Sequence, residues 1–531
     1  MTVHSSQESL DEADLALPIP EAEQAPTSAL AAKNAWLEGL KWVLSFPVML
    51  GTFLIGAIFY FGREFLVDPD LWWHAKTGQL ILATHHFPTT DPYSFTVHGQ
   101  PWMAYEWGGE ILIGWVSRIG GVRALDFLLI ALGAAIMIAL YVLGTIRSGK
   151  SKAGFVAAAL LLPLATPSFT LRPQMLGYLF LVLTLIALEL FRQGKRWTVW
   201  TLPALMLAWV NTHGTFIIGL GVILLYWICG LVEFRKRGIE AKRWSPKERR
   251  SLSLVFLLCV AVLAITPYGT RLAAYPFNMA FSQPLNVASV MEWQSMPFQA
   301  LSAKIFLAIV LAFFVLQMVF DFRWRLEELV LFVGSVALAC VHRRFVLVFV
   351  PFTVPLLAVV AARWIHSYHR QKDKYFLNAV LMAGVVAAMV HCFPTSAKLN
   401  AEVAERFPVH AVEYLRQHPV RGPMFNNYGF GGYLIDAGFK TFIDGRGDVF
   451  ERGGVFADYM KLVWLKPGGL DVLQRYQIES CLITRGEPLA TALLASPDWK
   501  RVYADGTTAL FVRTDSEEKP ATTGTTSPLT R

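Results

Sequence analysis

Charge is scarce in this sequence. Asp, Glu, Lys and Arg make up 16% of its 531 residues and hydrophobic residues 54%, whereas soluble proteins carry about 25% charged residues. With a mean hydropathy of +0.44, that shortage excludes a soluble globular chain and leaves a polytopic membrane protein. Cysteine is scarce too. Cys229, Cys259, Cys340 and Cys392 lie in or at the ends of apolar runs, and Cys481 stands alone beyond them. With no Cys-x-x-Cys, neither a disulfide framework nor a zinc knuckle is supported. No positively charged stretch with a cleavage site precedes an early apolar segment, so the N-terminus does not read as a cleaved signal peptide. The net charge of +8 implies no nucleic acid as partner. The basic residues sit in short loops between apolar runs, which is a topology signal.

What the chain has is apolar length. Eleven segments fall at roughly 42–62, 123–146, 153–167, 175–191, 197–210, 215–234, 251–266, 303–320, 327–341, 345–362 and 376–393, against the roughly 20 residues a span needs. The third, fifth, seventh and ninth are short. Loops 147–152, 192–196, 235–250, 321–328 and 363–374 hold 20 Lys and Arg in 47 residues, while the alternate segments 63–123, 168–174, 211–214, 266–304 and 341–344 hold 9 in 115. The positive-inside rule makes the first set cytoplasmic. The N-terminus is then inside and everything after residue 393 outside.

This gives an all-α polytopic membrane domain of about eleven transmembrane helices over 41–393. Residues 1–40 are acidic and rich in Ala and Pro, and read as a disordered cytoplasmic tail. Residues 394–515 alternate strand candidates (Pro423–Phe425, Thr441–Ile443, Ser480–Ile483, Arg501–Tyr503, Ala509–Val512) with helical stretches, and read as an external, periplasmic α/β domain. Residues 516–531 read as a second disordered tail.

The first external loop, 63–122, carries the sharpest motif. Asp68-Pro69-Asp70-Leu71-Trp72-Trp73-His74 follows the first apolar run directly, and Trp102-Met103-Ala104-Tyr105-Glu106-Trp107 closes the region. Residues 71–84 and 107–119 read as two helices lying on the membrane, with Glu110 and Arg118 marking polar ground on the second. Asp68 alone could cap the helix that starts at Leu71, with Pro69 fixing the turn. Capping hardly accounts for two carboxylates beside paired tryptophans, and ionisable groups at membrane depth mark function. Asp68 and Asp70 are the catalytic candidates. His74, Lys76, Glu106, Arg172, His213, Arg343 and Arg344 are candidate substrate-binding residues on the same face. Each of these could cap a tight turn or snorkel to headgroups. Taken together, they set cations opposite two carboxylates, as a lipid phosphate would require.

Asp68-Pro69 followed by Trp72-Trp73-His74-Ala75-Lys76 resembles the first external loop of the GT-C superfamily of integral-membrane glycosyltransferases. That superfamily includes oligosaccharyltransferases, protein O-mannosyltransferases and aminoarabinose transferases. The loop is also similar to that of a broad group of bacterial membrane proteins sharing Asp-Pro-Asp-x-Trp-Trp-His. The resemblance implies a transferase acting on the external face. Its donor would be a polyprenyl-phosphate-linked hexose or pentose, its setting the membrane lipid, and its acceptor a glycan, a lipid or a protein. The sequence departs from the pattern in having no second Asp-x-Asp or Glu-x-Asp in a later external loop and no Trp-Trp-Asp. A divalent cation, Mg or Mn, stays open as cofactor, with Asp68 and Asp70 as its ligands if one is held. The competing class is a transporter or a lipid- or glycan-binding scaffold. A transporter should show repeated halves and charge at mid-membrane, and neither is found. Asp444-Gly445-Arg446-Gly447-Asp448 reads as turn chemistry. Asn426-Asn427-Tyr428-Gly429 lacks the spacing of a nucleotide loop.

Overall fold

The computed structural model describes residues 28–63, 66–320 and 322–514. Most of the N-terminal tail and the 516–531 tail lie outside the described residues. A helix, Ser28–Val43, begins inside the stretch expected to be disordered. Every one of the eleven apolar stretches is helical. Among the described residues, Trp107–Ser148, Gln174–Arg192, Leu301–Val319 and Arg343–Ala361 are long and apolar enough to cross a membrane on their own. Two bent pairs, Ala35–Val43 with Phe46–Gly62 and Tyr375–His391 with Ser396–Arg406, raise that number to six if each pair is one span. The other apolar helices are shorter, such as the 15-residue Ser151–Ala165 and the 14-residue Phe216–Cys229.

The two helices of the first loop differ from the expected membrane-lying pair. Asp70–Thr84 is enclosed, with Leu71, Trp72, Trp73, His74 and Ala75 all buried in succession. Its tryptophans do not rest among headgroups. The Trp72 ring meets Phe407 and Tyr433 edge-on at 5.6 and 5.3 Å, and Trp73 joins a core with Phe425, Phe442 and Phe450. The second helix does keep an exposed apolar side, with Trp115 54% and Ile119 65% exposed. It runs on into the next span as Trp107–Ser148, broken only where Gly120 and Gly121 leave helical geometry.

At the end of the bundle away from Asp68, a hairpin of β1 (Phe234–Lys236) and β2 (Ile239–Ala241) pairs with β3 (Trp324–Arg325). Beside it, Arg147 pairs with Glu328 at 2.5 Å, Arg192 with Glu327 at 2.5 Å and Arg325 with Glu189 at 2.7 Å. This end is therefore more than a set of basic loops. Buried carboxylates on neighbouring helices answer the arginines, because charge taken from water needs a partner.

The C-terminal residues form a four-stranded sheet in the order β4 (Met424–Asn426), β5 (Ser480–Thr484), β7 (Thr508–Arg513), β6 (Trp499–Ala504). The β4–β5 pair is parallel and the others antiparallel. Thr441–Ile443 is not one of its strands. The Asn426 side chain accepts the Phe442 N–H at 2.7 Å and donates to the Ile443 carbonyl at 2.8 Å. Thr441 instead bridges Ser94 of the first loop in parallel. The core on this side of the sheet is shared. Trp73, Ile81, Val97, Trp102 and Ala104 of the loop pack with Phe425, Phe442, Phe450 and Phe511.

One ion cluster seals that junction. Arg446, with no exposed surface, reaches Asp91 Oδ1 at 2.6 Å and forks onto Asp444 at 2.7 and 2.8 Å. Its guanidinium lies 4.9 and 4.7 Å from the ring centres of Tyr93 and Trp102. The stretch expected to be plain turn chemistry is the latch that holds the C-terminal residues on the loop.

Candidate active site

Asp68-Pro69-Asp70 leaves the first apolar helix and turns at once into Asp70–Thr84. The helix N-cap is Pro69 and not Asp68. Asp68 closes the turn before the helix, since its Oδ1 accepts the Asp70 N–H at 2.9 Å. Its other oxygen faces Arg172, which is presented by the tight Leu171-Arg172-Pro173 turn at the head of helix Gln174–Arg192. Each guanidinium nitrogen takes a different carboxylate. Nε meets Asp68 at 2.5 Å, Nη2 meets Asp70 at 3.1 Å, and Nη1 meets Glu292 at 3.2 Å. One cation thus orders three anions and leaves them in excess.

The two aspartates are not equivalent. Asp68 is 3% exposed and has both oxygens engaged. The Asp70 carboxyl keeps 15% exposure, and its Oδ1 accepts the Trp73 indole N–H at 3.1 Å. Burial pushes Asp70 up to about 6, with Asp68 adding to the rise and Arg172 pulling against it. Arg172 holds Glu292 below the usual carboxylate range.

A second cation stands close by. The turn Arg343–Phe345 is stitched to Met291–Trp293: the Arg343 N–H donates to Gln294 at 3.0 Å, and His342 hydrogen-bonds the Trp293 carbonyl. The half-buried Arg344 guanidinium lies 4.2 Å from the centre of the Trp293 ring. It makes no ion pair among the described residues. Arg343 is exposed at the rim.

A polar string runs behind the carboxylates. Thr215 donates its backbone N–H to His213 Nδ1 at 3.1 Å, which leaves the His213 proton on Nε2, 3.2 Å from Glu106. Glu106 also lies 3.5 Å from His74 Nε2, and His74 Nδ1 is 3.2 Å from Glu110. Burial pushes Glu106 up to about 8 and both imidazoles below their ordinary value, so the string is neutral near pH 7. The sign of its pH dependence follows. A carboxyl raised in the folded state favours the fold when protonated, and that contribution is lost as pH rises from the unfolded value of about 4.3 through about 8. The apparent melting temperature of the detergent-solubilised protein should therefore fall between pH 6 and pH 9, and Glu106→Gln should flatten the fall. Parallel melting curves for the two proteins across that range would exclude Glu106 as its source.

Asp68, Asp70, Arg172, Glu106, His74, His213 and Arg344 come together at this end of the bundle. Lys76 does not. It points the other way, 3.4 Å from the Asp436 carbonyl. Two residues in the cluster were not among the candidates. Glu110, read as polar ground, is 1% exposed and has one oxygen without a hydrogen-bond partner. Its place four residues after Glu106 was the available signal, since such pairs share a helix face. Glu292 offered no signal beyond its loop.

Among the described residues, no three His, Cys, Asp or Glu side chains are placed to hold a metal ion. The Arg172 guanidinium fills the space between Asp68 and Asp70 where a divalent cation would have to lie. In this arrangement the guanidinium, and not a divalent cation, bridges the two aspartates.

The C-terminal residues roof the site at two glycines. A Cβ on Gly445 would lie 1.7 Å from Asp70 Oδ1, and one on Gly432 would lie 2.1 Å from the Pro69 carbonyl. Only a residue without a side chain admits such approach.

No family profile matches the sequence, and no curated protein matches it. Several solved structures do match in fold. The oligosaccharyltransferase of Archaeoglobus fulgidus, tethered to an acceptor peptide containing the NVT sequon, superposes with a TM-score of 0.51 at 12% identity over 82% of this chain and 68% of that one. AglB of Archaeoglobus fulgidus, in complex with an inhibitory peptide and a dolichol-phosphate, gives 0.50 at 10% identity over 92% and 75%. ArnT of Cupriavidus metallidurans, bound to undecaprenyl phosphate, gives 0.50 at 14% identity over 92% and 100%. At these identities the likeness is one of fold.

Proposed function

We propose, from the fold this chain shares with the oligosaccharyltransferase and ArnT structures, that it is a GT-C glycosyltransferase that transfers a sugar from a polyprenyl-phosphate carrier to an acceptor on the external face of the cell membrane. All eleven apolar helices serve the crossing, the N-terminus is cytoplasmic, and 394–515 is the external unit. The observation that carries this reading is a partly exposed carboxylate, Asp70, at the same end of the first span as Arg344, which makes no ion pair among the described residues although its charge is felt by Glu292 and Glu106.

The chemistry assigns each a role. Asp70 takes the proton from the acceptor hydroxyl or amide as its oxygen or nitrogen bonds the anomeric carbon. On the opposite side the bond from that carbon to the phosphate oxygen breaks, and the oxygen leaves with the electron pair. Arg344, with Arg343 at the rim, receives the growing phosphate charge. Asp68 is a positioning residue that fixes Arg172, and Arg172 in turn fixes Asp70. His74, Glu106 and His213 form the wall behind them.

The test is carrier binding by the full chain in nanodiscs, with undecaprenyl phosphate as probe. Arg344→Gln should weaken binding by about 10- to 100-fold, the usual worth of a hydrogen bond to a charged group, while the melting curve stays in place. Wild-type protein that retains no undecaprenyl phosphate would overturn the reading. Protein that retains it but releases none from a sugar-loaded carrier, with any acceptor class, would be a scaffold.

A further inference from the structure

A second cationic recess lies at the opposite end of the first span. It is a cleft of about 320 Å³ between the starts of helices Phe46–Gly62 and Tyr375–His391, within the usual range for ligand sites. Lys152, His369, Lys372 and Lys374 line it. Lys372 and Lys374 are exposed, Lys152 half-buried, and none makes an ion pair among the described residues. Lys152 Nζ stands 5.4 Å from the Phe46 ring centre, which leaves its other donors open. One carboxylate lies in the cleft, and it is already engaged. Asp373 accepts from the Phe46 N–H at 2.9 Å, the Tyr368 hydroxyl at 2.5 Å and Asn378 Nδ2 at 2.7 Å. The nearby Arg370 is bound to Glu38 at 2.5 Å. Below the lysines the wall turns apolar, and Leu377 and Leu381 remain 48% and 39% exposed along the outside of their helix.

We propose that this cleft binds the phosphate headgroup of an anionic phospholipid, with its acyl chains lying against Leu377 and Leu381. Three ammonium groups without an ion pair among the described residues attract an anion, and strongly hydrated point charges suit a phosphodiester at a membrane surface. The apolar wall continuous with the cationic rim selects a lipid over a free phosphate. This site is separate from the sugar-transfer site, since the helix Phe46–Gly62 lies between them, and it stands or falls without that reading.

The experiment is native mass spectrometry of the full chain released from nanodiscs of equal phosphatidylglycerol and phosphatidylcholine. The wild type should retain phosphatidylglycerol about tenfold over phosphatidylcholine, and a K152Q/K372Q/K374Q variant should lose that preference, as expected when several basic contacts to an anionic surface are removed. K152R/K372R/K374R should keep it, which separates charge from damage to the fold. Soluble glycerol 3-phosphate at equal concentration should not displace the lipid. Equal retention of both lipids by the wild type, unchanged preference in the glutamine variant, or displacement by glycerol 3-phosphate would each overturn the proposal.

Discussion

Asp70→Asn should lower sugar transfer by about 10²–10⁴-fold, the usual cost of losing a general base. The change is close to isosteric and keeps an oxygen for the Trp73 indole, which donates to Asp70 Oδ1 at 3.1 Å. It removes the group that can take a proton. Carrier binding should survive, because the proposed mechanism gives the phosphate to Arg344 and not to Asp70. The wild-type rate should climb with pH through about 6, where Asp70 loses its proton, and the residual rate of the variant should lack that limb. Asp68→Asn provides the contrast. Its side chain is pinned by the Asp70 N–H and by Arg172, so its loss should disturb folding and position together, and because the Asp68 charge adds to the rise of Asp70, the pH limb should persist but move to lower pH. If Asp70→Asn turns over at the wild-type rate, the base lies elsewhere.

Arg446→Leu should cost about 3–5 kcal/mol of stability, as expected when one member of a buried ion cluster is removed. Asp91 and Asp444 would then face each other with no cation, in a place from which water is excluded. Arg446→Lys should recover little, since an ammonium cannot fork onto Asp444 while reaching Asp91. The junction held by this cluster also carries Gly445 over Asp70. The leucine variant should therefore melt at a lower temperature and expose the 394–514 residues to protease, and it should lose transfer even where the membrane helices persist. An unchanged melting curve with unchanged proteolysis would show that the shared apolar core suffices without the ions.

The membrane helices were legible because apolar composition is a local property, and each of the eleven stretches is a helix. Asp68 and Asp70 were legible because two charges beside a span are costly and so invite explanation. Their partners were not, because pairing is a property of the fold. Arg172 stood out as a cation, but nothing near it in sequence points to Glu292, 120 positions on. Trp72 and Trp73 misled for a physical reason. Amphipathic rings suit both a headgroup layer and a protein core, and the residues that bury them, among them Phe407, Phe425 and Tyr433, lie more than 300 positions away. Arg446 was hidden by its glycine neighbours, which are ordinary in a turn. Glu189, Glu327 and Glu328 were hidden by basic loops that drew attention to charge of the other sign.

The arginine–glutamate pairs at the far end of the bundle have a mechanical consequence. Arg147, Glu189, Arg192, Glu327 and Glu328 belong to three helices, Trp107–Ser148, Gln174–Arg192 and Leu326–Val341, and Arg325 directly precedes the third. Their pairs tie these helices where they are farthest from Asp68. Such an assembly behaves like a pair of tongs riveted at the handle. Parting of the helices is resisted at the riveted end and grows with distance from it. In the proposed reaction a long-chain lipid would therefore enter at the other end, where Arg172 and Arg344 stand, without the bundle coming apart.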